Sequence, residues 1–155
     1  MNKPSTLDPK TLTPRTGTIY PPEFAGALKG REKRALGDGF DLTQFGVNLT
    51  TLLPGAWSAH RHWHEREDEF VFVVAGEITL IDETGEHVLK PGMCAGFKAG
   101  VANGHHLVNK SKSLATYLEI GTRSADEVAT YPDIDMKAGK TGGKWWLSRK
   151  DGTGF

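Results

Sequence analysis

The chain predicts an all-β fold, a sandwich or a barrel. Two observations carry this expectation. From residue 41 onward, short runs rich in strand formers recur about every 8–12 residues, separated by Pro-Gly and other glycine-containing turns. Helical signals are scarce: Ser124 and Glu127 could form a capping box, but little apolar periodicity follows, so one short helical turn at most is expected there.

The elements read in order as follows. Residues 1–40 carry Pro4, Pro9, Pro14, Pro21 and Pro22, which remove backbone donors and fix φ. This stretch is expected to be an irregular N-terminal arm, with Tyr20 and Phe24 as apolar anchors that pack over a barrel or onto a neighbouring subunit. Within it, KGREKR at 29–34 reads as a solvated surface loop. The remainder, 41–155, reads as the barrel with a C-terminal extension. FGVNLTTLL (45–53) is a strand ended by Pro54-Gly55. EFVFVVAGE (69–77) is apolar on both parities, as a strand covered on both faces would be. ITLID (78–82) and HVLK (87–90) flank a hairpin turn in which Gly85 can supply positive φ. CAGFK (94–98), HHLVNK (105–110) and LATYLEI (114–120) follow as strands, and KWWLSRK (144–150) offers a late one.

Composition narrows the function. The chain has 155 residues, and its 19 Lys+Arg balance its 19 Asp+Glu, so no overall charge favours nucleic acid. No apolar run approaches the roughly 18 residues of a membrane span. MNKPSTLDPK has no hydrophobic signal core, and the single cysteine, Cys94, fits a reducing compartment; both lead to the expectation of a cytoplasmic protein. Cys94 itself reads as a small buried packing residue.

The histidines are more specific. Five of the six fall in two windows: His60, His62 and His64 at alternate positions, and the pair His105-His106. On a strand, His62 and His64 aim two imidazoles at one side, while Trp63 between them faces the other way to pack. Four residues, Glu65 to Asp68, let the chain reverse, and Glu69 can then face the same interior. Glu67 and Asp68 read as exposed loop carboxylates. A further nitrogen from the second window would complete three imidazoles and one carboxylate. That set suits Mn, Fe, Co, Ni, Cu or Zn, whereas Ca or Mg would want mostly oxygen. A metalloprotease would need His-Glu-x-x-His, which is absent, and a zinc finger would need cysteines.

These residues resemble the cupin superfamily. His62-Trp63-His64, four residues, Glu69, six residues and Gly76 match its first motif, with Gly55 one residue further upstream than the family pattern. Gly92, Gly100, His105 and Asn109 follow its second motif, with Lys98 in place of a proline and two extra residues before His105. Fifteen residues separate Gly76 from Gly92, a compact intermotif spacing. The wider texture is similar to small single-domain bacterial cupins. The resemblance implies a double-stranded β-helix, or jelly-roll barrel, which is usually dimeric. It also implies a divalent metal (Mn, Fe, Ni or Zn) on His62, His64, Glu69 and one of the two paired histidines. His105 is favoured, four positions before Asn109, with His106 as the alternative.

Four residues are candidate catalytic groups. His60 shares parity with His62 and could line the pocket rim or act as a base. Lys98 is either a solvated strand residue or a contact for an anionic substrate. Tyr117 and Glu119 share one face of the strand 114–120 and would exchange protons in the pocket if that face is inward. A metal so held can polarise a carbonyl, bind an enediolate or carry O₂. The expected function is therefore a metal-dependent enzyme, an isomerase or a dioxygenase, acting on a small polar metabolite such as a sugar or a hydroxy or keto acid. The alternative is a non-catalytic module that binds a small ligand or metal.

Overall fold

In the computed structural model, which describes residues 5–155, the basic run expected as a surface loop is the first strand, β1 (Arg31–Ala35). It pairs antiparallel with β2 (Phe45–Leu52), and a single helical turn, α2 (Leu36–Gly39), joins them. The period of two explains why so polar a segment becomes a strand. Arg31 and Lys33 lie in register with Leu52 and Thr50 on the inner face, while Glu32 and Arg34 stay on the outer one. Before β1, Arg15 pairs by its backbone with Lys33 of that strand, and the stretch that follows crosses to the C-terminal strands. A further helical turn, α1 (Pro22–Ala25), carries Phe24, and Tyr20 and Phe24 pack against the cluster Ala129, Tyr131, Met136 and Ala138.

The strands that follow are β3 (Trp63–His64), β4 (Glu69–Ala75), β5 (Ile78–Asp82), β6 (Gly85–Leu89), β7 (Cys94–Phe97) and β8 (His106–Val108). They are succeeded by β9 (Ala115–Thr122), β10 (Glu127–Thr130), β11 (Lys137–Thr141) and β12 (Lys144–Ser148). One layer runs β1-β2-β9-β4-β7. The other comprises β6-β5-β8 and β3-β10-β11-β12, joined by reciprocal backbone hydrogen bonds between His62 and His105. All pairings are antiparallel, and the two layers form the jelly-roll barrel. Its core draws Leu52, Val71, Val73, Ala115 and Tyr117 from the first layer against Ile78, Leu80, Leu89 and Leu107 from the second. Burial of these side chains supplies the main drive for closing the barrel.

Two glycine and asparagine positions hold the motifs in place. Gly76 has φ of +74°, and a Cβ there would lie 2.3 Å from Leu114 O; only glycine fits the turn from β4 to β5. Asn109 is fully buried and does not face the site. Its Nδ2 donates to Leu52 O and Ser113 O, and its Oδ1 accepts from Ser111 N and Oγ. It closes the loop between β8 and β9.

Three expectations need correction. Glu127 caps no helix. It opens β10, and its carboxylate accepts instead from the amides of Glu65, Arg66 and Val128. Cys94 is exposed on the outer face of β7, because the alternation of that strand sends Ala95 and Phe97 inward. The strand 69–75 is covered on one face only. Phe70, Phe72 and Val74 are 40%, 38% and 47% exposed. They belong to an apolar outer surface in which the rows Val47–Ile120–Phe70 and Leu49–Leu118–Phe72–Cys94 run side by side across the sheet.

Candidate metal centre

The first layer carries the carboxylate and the second the imidazoles. Glu69 opens β4, and its register partners are Gly121 on β9 and Phe97 on β7, so its side chain lies on the inner face between Gly121, which has no side chain, and the Phe97 ring. Opposite it, the backbone pairing of His62 with His105 brings their rings to 5.4 Å, and His64 follows at 4.9 Å from His62. The three Nε2 atoms converge on one oxygen. Glu69 Oε2 lies 2.8 Å from His105, 3.4 Å from His64 and 3.8 Å from His62.

The protonation pattern is decisive for what this cluster can hold. His62 Nδ1 is 2.8 Å from His60 O, and His105 Nδ1 is 2.8 Å from Asn103 O. Carbonyl oxygens only accept, so each Nδ1 carries the proton and a neutral ring presents a bare Nε2 lone pair. Burial pushes His62 down to about 3, against the opposing pull of Glu69, so at neutral pH it is such a neutral ring. Burial alone would raise the Glu69 carboxyl, but hydrogen bonds from His105 and His64, made when their Nε2 atoms carry the proton that a metal would replace, and the nearby His62 hold it well below the ordinary range. Lone pairs and an anionic oxygen thus face one another in a buried site, an arrangement satisfied by a cation between them. His62, Glu69 and His105 can each offer one ligand atom within 4.8 Å of the others. His105 is held rigid by Phe97, whose ring stacks on it, and His62 by Tyr131, stacked at 5.4 Å. Such orientation of ligands is what a metal site requires.

A second group, His64, Glu67 and Glu127, also gathers within 4.8 Å. Its carboxylates are already engaged: Glu127 by three backbone amides, Glu67 by Ser124 N and Lys140 Nζ. Glu67 is therefore a half-buried group that lines the cavity and not the exposed loop carboxylate expected from its position. Burial lowers His64, but the hydrogen bond to Glu69 and the charges of Glu69, Glu127 and Glu67 outweigh it and raise the ring. His64 Nδ1 itself has no hydrogen-bond partner.

The cluster opens into a cavity of about 660 Å³. Tyr117 and Glu119 both line it, since the inward parity of β9 includes 117, 119 and 121. Lys33 Nζ pairs with Glu119 Oε1 at 2.8 Å, and Thr50 donates to Oε2 at 3.2 Å. The Tyr117 hydroxyl is buried without a hydrogen-bond partner, and burial, with the charge of Glu119, raises it well above its ordinary range. It remains a protonated donor.

The other candidates lie elsewhere. His106 also borders the cavity, but its Nδ1 bonds Ala59 O and its ring meets Trp57 edge-on, so it does not join Glu69. His60 packs among Tyr20, Phe24 and Trp57 and donates from Nε2 to Phe24 O; it anchors the arm. Lys98 is exposed beyond the end of β7 and does not line the cavity. Arg31, Lys33, Glu67, Glu127 and Tyr131 do line it, and the sequence reading missed them. For Arg31 and Lys33 a signal was present, namely alternation within the basic run.

The Cupin domain family model matches residues 48–121. A cupin-superfamily sugar phosphate isomerase from Silicibacter pomeroyi is 44% identical, covering 97% of this chain and 96% of its own, with a TM-score of 0.93. A protein from Acidithiobacillus ferrooxidans, provisionally given the same activity, is 30% identical over 78% of this chain and 77% of its own, with a TM-score of 0.73. A polyketide cyclase from Streptomyces resistomycificus shares the fold alone, at 17% identity and a TM-score of 0.62 over 76% of this chain and 78% of its own. No curated protein matches in sequence. The chain belongs to the cupin superfamily. Among the described residues, no helix is long and apolar enough to cross a membrane.

Proposed function

We propose that this chain is a metal-dependent isomerase of small phosphorylated sugars. The observation that carries the reading is the convergence of three imidazole nitrogens on Glu69 Oε2, at a cavity that also holds Glu119 and a free tyrosine hydroxyl. The sugar phosphate isomerase from Silicibacter pomeroyi, at 44% identity, supports isomerisation over oxygenation. His62, His64, Glu69 and His105 hold the ion, for which Mn, Ni or Zn suits this chemistry. When bound, the ion polarises the substrate's carbonyl and neighbouring hydroxyl oxygens.

The chain's own groups do the rest. Glu119 lies in register with Val71, one inward position from the Gly121–Glu69 pair. Its carboxylate takes the proton from the hydroxyl-bearing carbon and returns it to the former carbonyl carbon, while the hydroxyl proton passes to the former carbonyl oxygen, so that aldose and ketose differ only in where two hydrogens sit. Lys33 and Thr50 hold that carboxylate in place.

The active form is a homodimer, built on the apolar outer surface of the first layer, where Phe70, Phe72 and Val74 stand exposed. A cytoplasmic location suits a single cysteine, Cys94, kept as a free thiol.

The test is incubation of the metal-loaded protein with aldose and ketose phosphates in deuterated water, followed by NMR. Turnover with exchange at the carbon next to the carbonyl, lost in Glu119→Gln, supports the reading. Retention of a sugar phosphate without turnover or exchange would replace it with a non-catalytic binding module.

A further inference from the structure

Among the cations of the cavity, Arg31 stands apart. Arg15 and Arg123 pair with Asp38, Lys33 with Glu119, and Lys140 with Glu67. Arg31 is only 9% exposed, and no carboxylate pairs with it among the described residues. Its guanidinium donates to Ser58 O at 2.6 Å and to Gly17 O at 3.1 Å, and its Nε is buried without a partner. Two carbonyl dipoles do not offset a full buried charge, so the site calls for an anion.

A second buried group in the same cavity also has an unused donor. Tyr117 is 1% exposed, and its hydroxyl has no partner. Tyr117 lies in register with Thr50, which is itself in register with Lys33, one inward position along β1 from Arg31. Arg31 lines the same cavity as Tyr20, Tyr131 and Glu69. Along the inner face, Arg31 aligns with Leu52 and Ala115, and Glu69 with Gly121 at the other end of β9.

We propose that Arg31, with the Tyr117 hydroxyl, seats the oxyanion of the substrate, its phosphate or another compact oxyanion, at the opposite end of the cavity from Glu69. The proposal deepens the isomerase reading and rests on it for the identity of the substrate. The planar guanidinium suits this role because it offers several donors in a fixed fork. A ligand held at both ends would be elongated, with its charged group at Arg31 and its reacting oxygens at the metal cluster.

The test is isothermal titration of the metal-loaded protein with inorganic phosphate, and with acetate as a carboxylate probe. Wild type should bind phosphate, Arg31→Gln should bind it at least about tenfold more weakly, and Arg31→Lys should fall between. Metal content should be unchanged in all three. If Arg31→Gln does not fold, Arg31→Lys and Tyr117→Phe carry the test, each weakening phosphate binding several-fold. Arg31-dependent acetate binding without phosphate binding would keep the oxyanion subsite and assign it to a carboxylate. Phosphate bound equally well by every variant, or neither probe bound by wild type, would overturn the proposal. The two readings separate cleanly. Arg31-dependent phosphate binding without turnover of any sugar phosphate leaves the subsite and removes the isomerase, whereas turnover by Arg31→Gln with unchanged KM does the reverse.

Discussion

Glu69 Oε2 and His105 Nε2 meet at 2.8 Å although 36 residues separate them in the chain, and the other nitrogen of His105 is already committed to Asn103 O. Neither atom can satisfy the other without a proton or a cation between them. The relationship makes a buried carboxylate and three imidazoles one unit, and the following expectations turn on that unit and on the frame that holds it.

Tyr117→Phe separates stability from function. The hydroxyl is buried beside Thr50 without a well-formed hydrogen bond, so its removal forfeits little and relieves a desolvation cost. The variant should be more stable than wild type by about 1 kcal/mol, while turnover of a sugar phosphate, under the proposed activity, falls on the order of 10- to 100-fold because the phosphate is held less well. Chemical denaturation and a sugar phosphate assay read the two quantities. A variant that is destabilised and fully active contradicts the role given to this hydroxyl.

Gly76→Ala should be severe. The substitution puts a side chain at φ of +74° and drives its Cβ to 2.3 Å from Leu114 O. The backbone strain alone costs about 1–3 kcal/mol, and the clash adds to it. A lowered denaturation midpoint with an unchanged slope is expected; a midpoint within error of wild type would mean that the turn can move aside.

Asp82 gives the hairpin between β5 and β6 an acid-sensitive joint. Burial pushes its carboxyl up, but hydrogen bonds from Thr84 Oγ1 at 2.7 Å and Thr84 N at 2.8 Å prevail and hold it at about 2. The folded value lies below the ordinary 3.8, so the carboxylate's contribution is complete above that value and is lost as pH falls through about 2. Its size is about 2 kcal/mol. Stability measured from about pH 5 downward should fall less steeply in Asp82→Asn than in wild type. Parallel curves would contradict this.

The outer apolar rows predict the oligomer. Phe72, 38% exposed, sits between Leu118 and Cys94. Phe72→Glu places a charge at the centre of that surface and should yield a folded monomer by light scattering, against a wild-type dimer. A monomeric wild type removes the dimer from the account.

The sequence carried the centre of the site better than its walls. His62, His64 and Glu69 are legible because a strand, a short reversal and a second strand translate spacing directly into direction. His105 is legible by its distance from Asn109, although Asn109 itself proves to close a loop. Glu127 and Tyr131 are not legible, because they reach the cavity from β10 and the chain just after it, through pairings set by tertiary context. Charge density hid Arg31 and Lys33. A run such as Arg31–Ala35 reads as solvated unless its alternation is weighed against its composition, and the inward positions of a ligand-binding barrel are where polar residues on a strand belong. Lys98 misled in the opposite way: it stands where the family has proline, yet it falls just past the end of β7 and does not line the cavity at the histidine cluster. Cys94 followed its residue type to a buried expectation, whereas strand parity placed it outside.

The central claim is that His62, His64, Glu69 and His105 hold one divalent ion. Elemental analysis of the purified protein and its single variants tests it most directly. Wild type and His106→Ala should contain one transition-metal ion per chain, and His105→Ala and His62→Ala should lose it while remaining folded by circular dichroism. Metal retained by His105→Ala and lost from His106→Ala, or no stoichiometric metal in wild type even after loading, would contradict the account.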